Sequence, residues 1–600
     1  MDQKRLLLAI SISLAILVVF TVLQEKFLPH PAPSPALTAG QASQVANSPA
    51  ATAAIAPAAG APGTSQTKPA AAGPRLAIDA PKLSGSIALT GAVFDDIVLK
   101  DYHETIAKTS PLVQIMGRRG GDKPYYAQFG WNAASGGTTA VPDDNTLWTA
   151  SAATLTQGAP VTLSWTNPDG VTLQLILSID ANYMFTVQQA VINKSAAQVS
   201  LYPWSRVARD YTPVEQTSYI LHEGPLGVFN NTLKEISYSS AKSDGKNAPG
   251  GAAYTETSNG GWIGITDKYW LTAIAPDQAT NFTGYMLYRP VNDGDGHSYQ
   301  TDFITSAPVT IAPGATSSLQ SRLFTGAKIV RLLDAYESQF NIPHFDKAVD
   351  FGIFYLITKP IFFCLDYLNS LIGNFGLAIL VFTVGVKLIF FPLANYSYRS
   401  MGKMKLVQPK IKAMKELYKD DLPRQQQETM KLYKTEKINP ASGCLPMLVQ
   451  IPVFFSLYKV IYITIEMRQA PFYGWVHDLS APDPTNIFTL FGLIPFDPSG
   501  LSPFLHLGAL PIIMGFTMFL QQRLNPAPPD PVQARMFQFM PIIFTFMLAR
   551  FPAGLVLYWT WNNLLTVCQQ WIIMRRAALP VPLKNLPAVA SGPSPVVRKP

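Results

Sequence analysis

Six hundred residues, 48% of them apolar, exclude a wholly disordered chain and leave room for about four domains at roughly 150 residues each. Only 14% are Asp, Glu, Lys or Arg, against about 25% in ordinary soluble proteins, which argues against an all-soluble chain. The formal charge is a modest +8, and the three cysteines, Cys364, Cys444 and Cys568, fall in or beside apolar stretches, so neither a disulfide scaffold nor a C-x-x-C zinc site is available.

Residues 1–28 read as an N-terminal transmembrane anchor. Lys4 and Arg5 precede a charge-free run from Leu6 to Leu23, which makes about 27 Å of helix and is longer than the roughly 7–15-residue core of a cleaved signal. Residues 29–75 are an Ala/Pro-rich linker in which Lys68 is the only Lys, Arg, Asp or Glu between Pro29 and Pro74. From about 76 to 340 the chain turns to short runs rich in Val, Ile, Thr, Tyr and Phe. Val161 to Trp165, the turn Asn167-Pro168-Asp169-Gly170, and Val171 to Leu177 are a clear sample, and such alternation broken by turns predicts a β-sandwich.

Residues 345–370 read as an interfacial amphipathic helix, with Phe345, Val349, Ile353 and Leu356 on one face. Residues 371–576 hold five hydrophobic blocks: Leu371 to Ala394, Gly443 to Thr464, Leu505 to Gln522, Met536 to Phe551 and Ala553 to Met574. Between the first two lies a segment, 399–440, with 11 basic residues against five acidic ones, and the tail at 577–600 is also basic. Both are therefore cytoplasmic by the positive-inside rule, and the β-rich region lies outside. The expected fold is a multi-pass α-helical membrane protein with six spans, five of them forming a core, and a large external all-β sandwich domain.

No soluble catalytic signature is present. His103-Glu104-Thr105-Ile106-Ala107 lacks the second histidine of a zinc-protease helix, and no G-x-S-x-G elbow or phosphate-binding loop occurs. Lys387 stands out as a charge inside the otherwise uncharged run Leu377 to Leu393, one helical turn after Thr383. A lysine there either snorkels to the interface or faces a wet cavity and carries function. Trp559, Asn563, Thr566 and Gln570 form a polar stripe on the last block, while Gln450 and Gln522 add amides to two others. Such stripes are interhelical glue or a substrate path. The 399–440 segment reads as a helical hairpin, with Ile411, Met414 and Tyr418 on one arm and Met430 and Tyr433 on the other. Met401, Met404, Met414 and Met430 offer a surface for varied apolar partners.

Several motifs occur in order: Gln408-Pro409-Lys410-Ile411, Asn439-Pro440-Ala441-Ser442-Gly443-Cys444-Leu445-Pro446, Gln450-Ile451-Pro452-Val453-Phe454, Arg468-Gln469-Ala470-Pro471-Phe472, and Phe551-Pro552-Ala553-Gly554-Leu555-Val556-Leu557-Tyr558-Trp559. Together they resemble the YidC membrane protein insertase family in its Gram-negative form, most strongly from about 360 to 575. The resemblance implies an inner-membrane insertase and chaperone, not an enzyme, with both termini cytoplasmic and a periplasmic β-supersandwich similar to sugar-binding folds. It also implies five core spans around a hydrophilic groove that is open to cytoplasm and lipid. Lys387 takes the place of the family's groove arginine and lacks its planar fork. Thr383 matches a groove threonine, Trp559 an aromatic that meets substrate, and Gln522 a groove amide; Tyr558, Gln450 and Asn563 complete the candidate groove. The hairpin, with Lys405, Lys410, Lys412, Lys415, Lys431 and Lys434, matches a mobile segment required for insertion. Implied partners are nascent membrane proteins, the Sec translocon and its accessory subunits, the ribosome bound weakly through hairpin and tail, and the lipid bilayer; no cofactor, metal or specific nucleic-acid sequence is expected. The residues alone also admit a secondary transporter with an intramembrane lysine, or a membrane-tethered periplasmic carbohydrate-binding protein.

Overall fold

A computed structural model describes residues 73–213, 221–291, 296–419, 421–436, 438–439, 445–494, 506–525 and 531–577. The expected anchor, nearly all of the linker and the tail beyond 577 lie outside them. The described chain divides into a β unit up to Asp350, with which Ile463–Ile465 also group, and a helical unit made of the rest from Phe351.

In the β unit, alternating apolar residues build two stacked sheets, one of 11 and one of nine strands among the described residues. The larger has Val199–Arg209 at its centre, between Tyr125–Ala133 and Gly296–Thr305; the smaller centres on Thr316–Ala327, paired with Met184–Asn193 and Trp270–Ala275. Pairing is antiparallel throughout the named ladders except where Arg75–Asp79 meets Thr154–Thr156 in parallel. The inner faces interlock, with Phe94 edge-on to Phe185 at 5.5 Å and the Tyr125 hydroxyl donating across the gap to Ile265 O at 3.2 Å.

The hairpin expected from sequence is present. Val161–Thr166 pairs with Val171–Ile179, and buried residues alternate along both strands. Asn167 Oδ1 accepts from the N–H groups of Asp169 (3.0 Å) and Val171 (2.9 Å), while Gly170 takes the left-handed φ of +89° that closes the turn. Helix α1 (Tyr238–Gly245) is capped by Ser237, whose hydroxyl accepts from Ser240 N at 3.1 Å. Helix α2 (Val330–Phe340) buries Val330, Leu333 and Tyr336.

The reading of 345–370 as one amphipathic helix is corrected. Phe345–Ala348 is a single 3-10 turn, and Phe345 packs edge-on against Trp262 (5.4 Å) and Phe324 (5.6 Å) of the β unit. Its apolar face was core, so the helical period continued past a tertiary contact that ends the element. The following helix, α3, begins only at Tyr355 and runs to Ile372.

A second correction concerns the first core block. Leu371 to Ala394 is not one helix; α4 spans Phe375–Ile389 and α5 spans Phe391–Leu417, with a bend of 68° between them. Pro392 has no N–H for Leu388 O, and its ring would collide with that carbonyl. It is tolerated in the first turn of α5 instead. Upstream, Gly373 in the left-handed region ends α3, and Asn374 Oδ1 caps α4 through Leu377 N at 3.0 Å. The hairpin is completed by α6 (Leu422–Thr435), and the other blocks form α7 (Leu445–Ile463), α8 (Ala509–Leu524), α9 (Pro531–Leu548) and α10 (Ala553–Ala577). Among the described residues no single helix is long and apolar enough to cross a membrane by itself, although the bent pair α4 and α5 passes that test together. Helix α10 packs on α8, α4 and α5 and so forms the axis of the unit.

Candidate functional site

The site is built on the inner faces of α4 and α10. Lys387 lies near the end of α4, and its Nζ reaches across to α10, donating to Thr566 Oγ1 at 2.8 Å. Thr566 is buried and its own hydroxyl donates to Asn562 O at 2.7 Å, which leaves oxygen lone pairs for the ammonium. Among the described residues no carboxylate forms an ion pair with Lys387. A half-buried ammonium held by one neutral hydroxyl is poised to accept a further acceptor, because two of its three donors are not spent on Thr566.

The other expected groove residues are distributed differently from the single stripe read in sequence. Thr383 is buried one turn above Lys387, but its hydroxyl donates at 2.6 Å to Ile379 O of its own helix. Asn563 turns to α8, where its amide donates to Thr517 Oγ1 at 3.2 Å, and Gln570 binds the end of the same helix through Leu524 O and Asn525 Oδ1, both at 3.2 Å. Gln450 on α7 donates to the Tyr558 hydroxyl, and Gln522 donates to Phe537 O of α9. Trp559 sits between Phe454 (4.7 Å) and Phe544 (5.6 Å). The last helix therefore uses most of its polar groups as glue between helices, and one of them, Thr566, faces the lysine.

Two contacts were not anticipated. Trp561 donates its indole N–H to Leu380 O at 3.2 Å, tying α10 to α4, and Tyr398 of α5 is buried beside Ala394, Met401 and Ile573 of α10. Neither residue lies on the stripe period, so only three-dimensional packing discloses them.

The hairpin arms close on a small core of Val407, Ile411 and Ile438, flanked by Met404, Leu432 and Tyr433. Lys410 pairs with Glu436 at 2.9 Å and Lys431 with Glu428 at 2.6 Å, whereas Lys412 and Lys434 are solvent-exposed and Lys405 and Lys415 are partly covered. Met401 and Met404 are packing residues, which corrects their reading as a free apolar surface. The exterior of α8 and α9 is apolar, exposing Ile512, Phe516, Phe519, Ile542, Ile543 and Phe546.

A large β-sandwich unit joined to a helical unit with a greasy exterior and an inward lysine defines a class, that of membrane proteins which combine a lipid-embedded helical core with an extramembranous domain. The sequence profile of the 60Kd inner membrane protein family matches residues 367–579, and that of the YidC periplasmic domain matches residues 75–364. The membrane protein insertase YidC of Granulibacter bethesdensis is 57% identical over 583 residues, covering 97% of this chain and 99% of that protein. The namesake from Acidiphilium cryptum is 58% identical over 510 residues, or 84% and 85% of the two chains. A crystal structure described as an active YidC insertase with its first transmembrane domain resolved is 17% identical, with a TM-score of 0.34 over 83% of this chain and 92% of that one. The chain belongs to the YidC membrane protein insertase family, an inner-membrane family with a periplasmic domain.

Proposed function

We propose that insertion runs through a hydrophilic groove between α4 and α10, in which Lys387 transiently holds the polar or acidic segment of a nascent membrane protein. The apolar span of the substrate meanwhile slides out along lipid-facing helices, driven by partitioning and by the membrane potential on translocating acids. The observation that carries this reading is the Lys387 ammonium, turned inward to Thr566 at 2.8 Å rather than outward along its own helix. Charge without a permanent counter-ion attracts a passing carboxylate and then lets it go.

The same reading takes the protein as a six-span chain with both termini in the cytoplasm and the β unit in the periplasm, acting without enzymatic turnover, cofactor or metal. Thr383, Gln450, Gln522, Tyr558, Trp559 and Asn563 then shape the groove wall. Lys405, Lys410, Lys412, Lys415, Lys431 and Lys434 of the hairpin meet the ribosome or the arriving chain, and the Sec translocon is a partner for larger substrates. The positive excess of the 399–440 segment supports this orientation. A photocrosslinker at position 387 tests the groove directly. Adducts with a stalled nascent membrane protein are expected from 387 but not from lipid-facing Phe516, and equal labelling from both positions would refute the path.

A further inference from the structure

We infer that Thr566 is the positioning residue that aims the Lys387 charge into the groove, an inference that rests on the groove reading above. A lysine has a flexible four-carbon stem and, from this end of α4, could swing its ammonium toward the nearer membrane surface. Instead Nζ spans the gap between two helices to meet the Thr566 hydroxyl at 2.8 Å. That hydroxyl is itself locked. Its proton goes to Asn562 O at 2.7 Å, one turn back on α10, so the oxygen presents lone pairs toward α4. Thr566 is 4% exposed. Two helices thus meet at one oxygen, and the lysine is the member whose other hydrogens remain available to a substrate.

Two features separate this role from simple packing. Thr383, on the same face of α4, donates its hydroxyl to Ile379 O of its own helix, and the ammonium bonds to Thr566 on α10 instead. Asn563 and Gln570, the neighbouring amides along the α10 stripe, turn their N–H donors to α8 and its C-terminal end, and neither receives the ammonium. Without the Thr566 oxygen, the ammonium loses its one side-chain hydrogen bond to the α10 wall among the described residues. A substrate carboxylate would then meet a lysine of variable position.

The test uses the full-length protein in cells depleted of their own insertase, with two single-span substrates, one with two acidic residues in its translocated tail and one with none. Thr566→Val keeps shape and removes the acceptor. It should lower insertion of the acidic-tailed substrate about ten-fold, the loss expected for one hydrogen bond to a charged group, and leave the neutral-tailed one within about two-fold. Thr566→Ser should restore the acidic substrate. In a Lys387→Ala background, Thr566→Val should add no further loss, because its effect passes through the lysine. The inference is overturned if Thr566→Val lowers both substrates alike at equal protein level, if it raises insertion of the acidic one, or if its effect persists without Lys387. Should Thr566→Val misfold, Thr566→Ala in the two Lys387 backgrounds decides in its place: a loss on the acidic substrate confined to the Lys387 background supports the positioning role, and a loss of equal size in both is structural and overturns it. If Lys387→Ala itself inserts acidic tails like the parent, the groove reading fails; if it is defective while Thr566→Val is not, only the positioning role fails.

Discussion

At the scale of single residues, the molecule handles two lysines in contrasting ways. Lys387 keeps its ammonium where a substrate could reach it, and charge rather than fork geometry is what that position supplies. At about 4 Å in a wet site the attraction for a carboxylate is about 1–4 kcal/mol, enough to hold and to release. Lys387→Arg should therefore insert acidic-tailed substrates nearly as the parent does, while Lys387→Ala should slow them on the order of ten-fold and Lys387→Glu more, with purely apolar substrates little changed. The measurement is insertion of a series graded in tail charge; parental activity of Lys387→Glu across the series would leave a snorkelling lysine as the better account.

Lys328 lies at the end of a central β strand, 2% exposed, and donates to Thr266 Oγ1 at 2.9 Å. Burial lowers its pKa to about 8, against the pull of Asp267, Asp350, Glu223 and Glu235. Below pH 8 the ammonium is charged in both the folded and the unfolded chain, and the folded state carries the full cost of burying it. Between pH 8 and 10.5 the folded chain releases the proton while the unfolded chain keeps it, so this residue makes stability rise with pH. Lys328→Met should remove that part of the rise and stabilise the β unit near pH 7 by up to about 3 kcal/mol, less the lost hydrogen bond to Thr266. Paired melts of parent and variant at pH 7 and pH 10 check it, and identical pH slopes would contradict the assignment.

At the scale of elements, legibility followed how local the cause was. The 161–179 hairpin was readable because alternation, the Asn167 side chain and Gly170 all act within a few residues. The true start of α3 was not, because the face of Phe345 is decided by Trp262 and Phe324, distant in sequence. The α4 break was written in Pro392, yet the apolar run on either side masked it. For the site, Lys387 and the α10 stripe could be nominated from spacing, but the choice of Thr566 over Asn563 or Gln570 depends on how α4, α5 and α8 surround α10. The basic hairpin also belongs at this scale. Its arms have their own small core in Val407, Ile411 and Ile438, so the membrane helices do not need it to fold. Deleting Lys405 to Lys434 with a short Gly/Ser bridge should leave a stable membrane-integrated protein that no longer inserts substrates, as read by protease protection of a reporter; normal insertion would reduce the hairpin to a connector.

At the scale of the whole molecule, the two units have separate cores. The β unit is closed by its two sheets, with aromatic side chains such as Phe94, Tyr125, Phe185 and Phe324 fully or almost fully buried, and none of the expected groove residues lies in it. Removal of residues 76 to 320 should therefore leave insertion of simple substrates within about two-fold of the parent, an expectation based on the independence of separately cored domains. Any loss should fall on substrates that need a docked partner. Abolished insertion with the helical unit intact would assign the β unit a direct part in the pathway.

The 68° turn at Phe390 carries a mechanical consequence. Helix α5 has 27 residues, with Pro409 in its interior, and extends from that turn into the hairpin over about 40 Å. A pivot of about 5° at its base would sweep the far end through about 3.5 Å, while Tyr398, two turns from the pivot, would move by only about 1 Å. In a lever of these proportions a push on the hairpin is geared down to a small displacement at Tyr398, and a small displacement there is magnified at the surface where an arriving chain would make first contact.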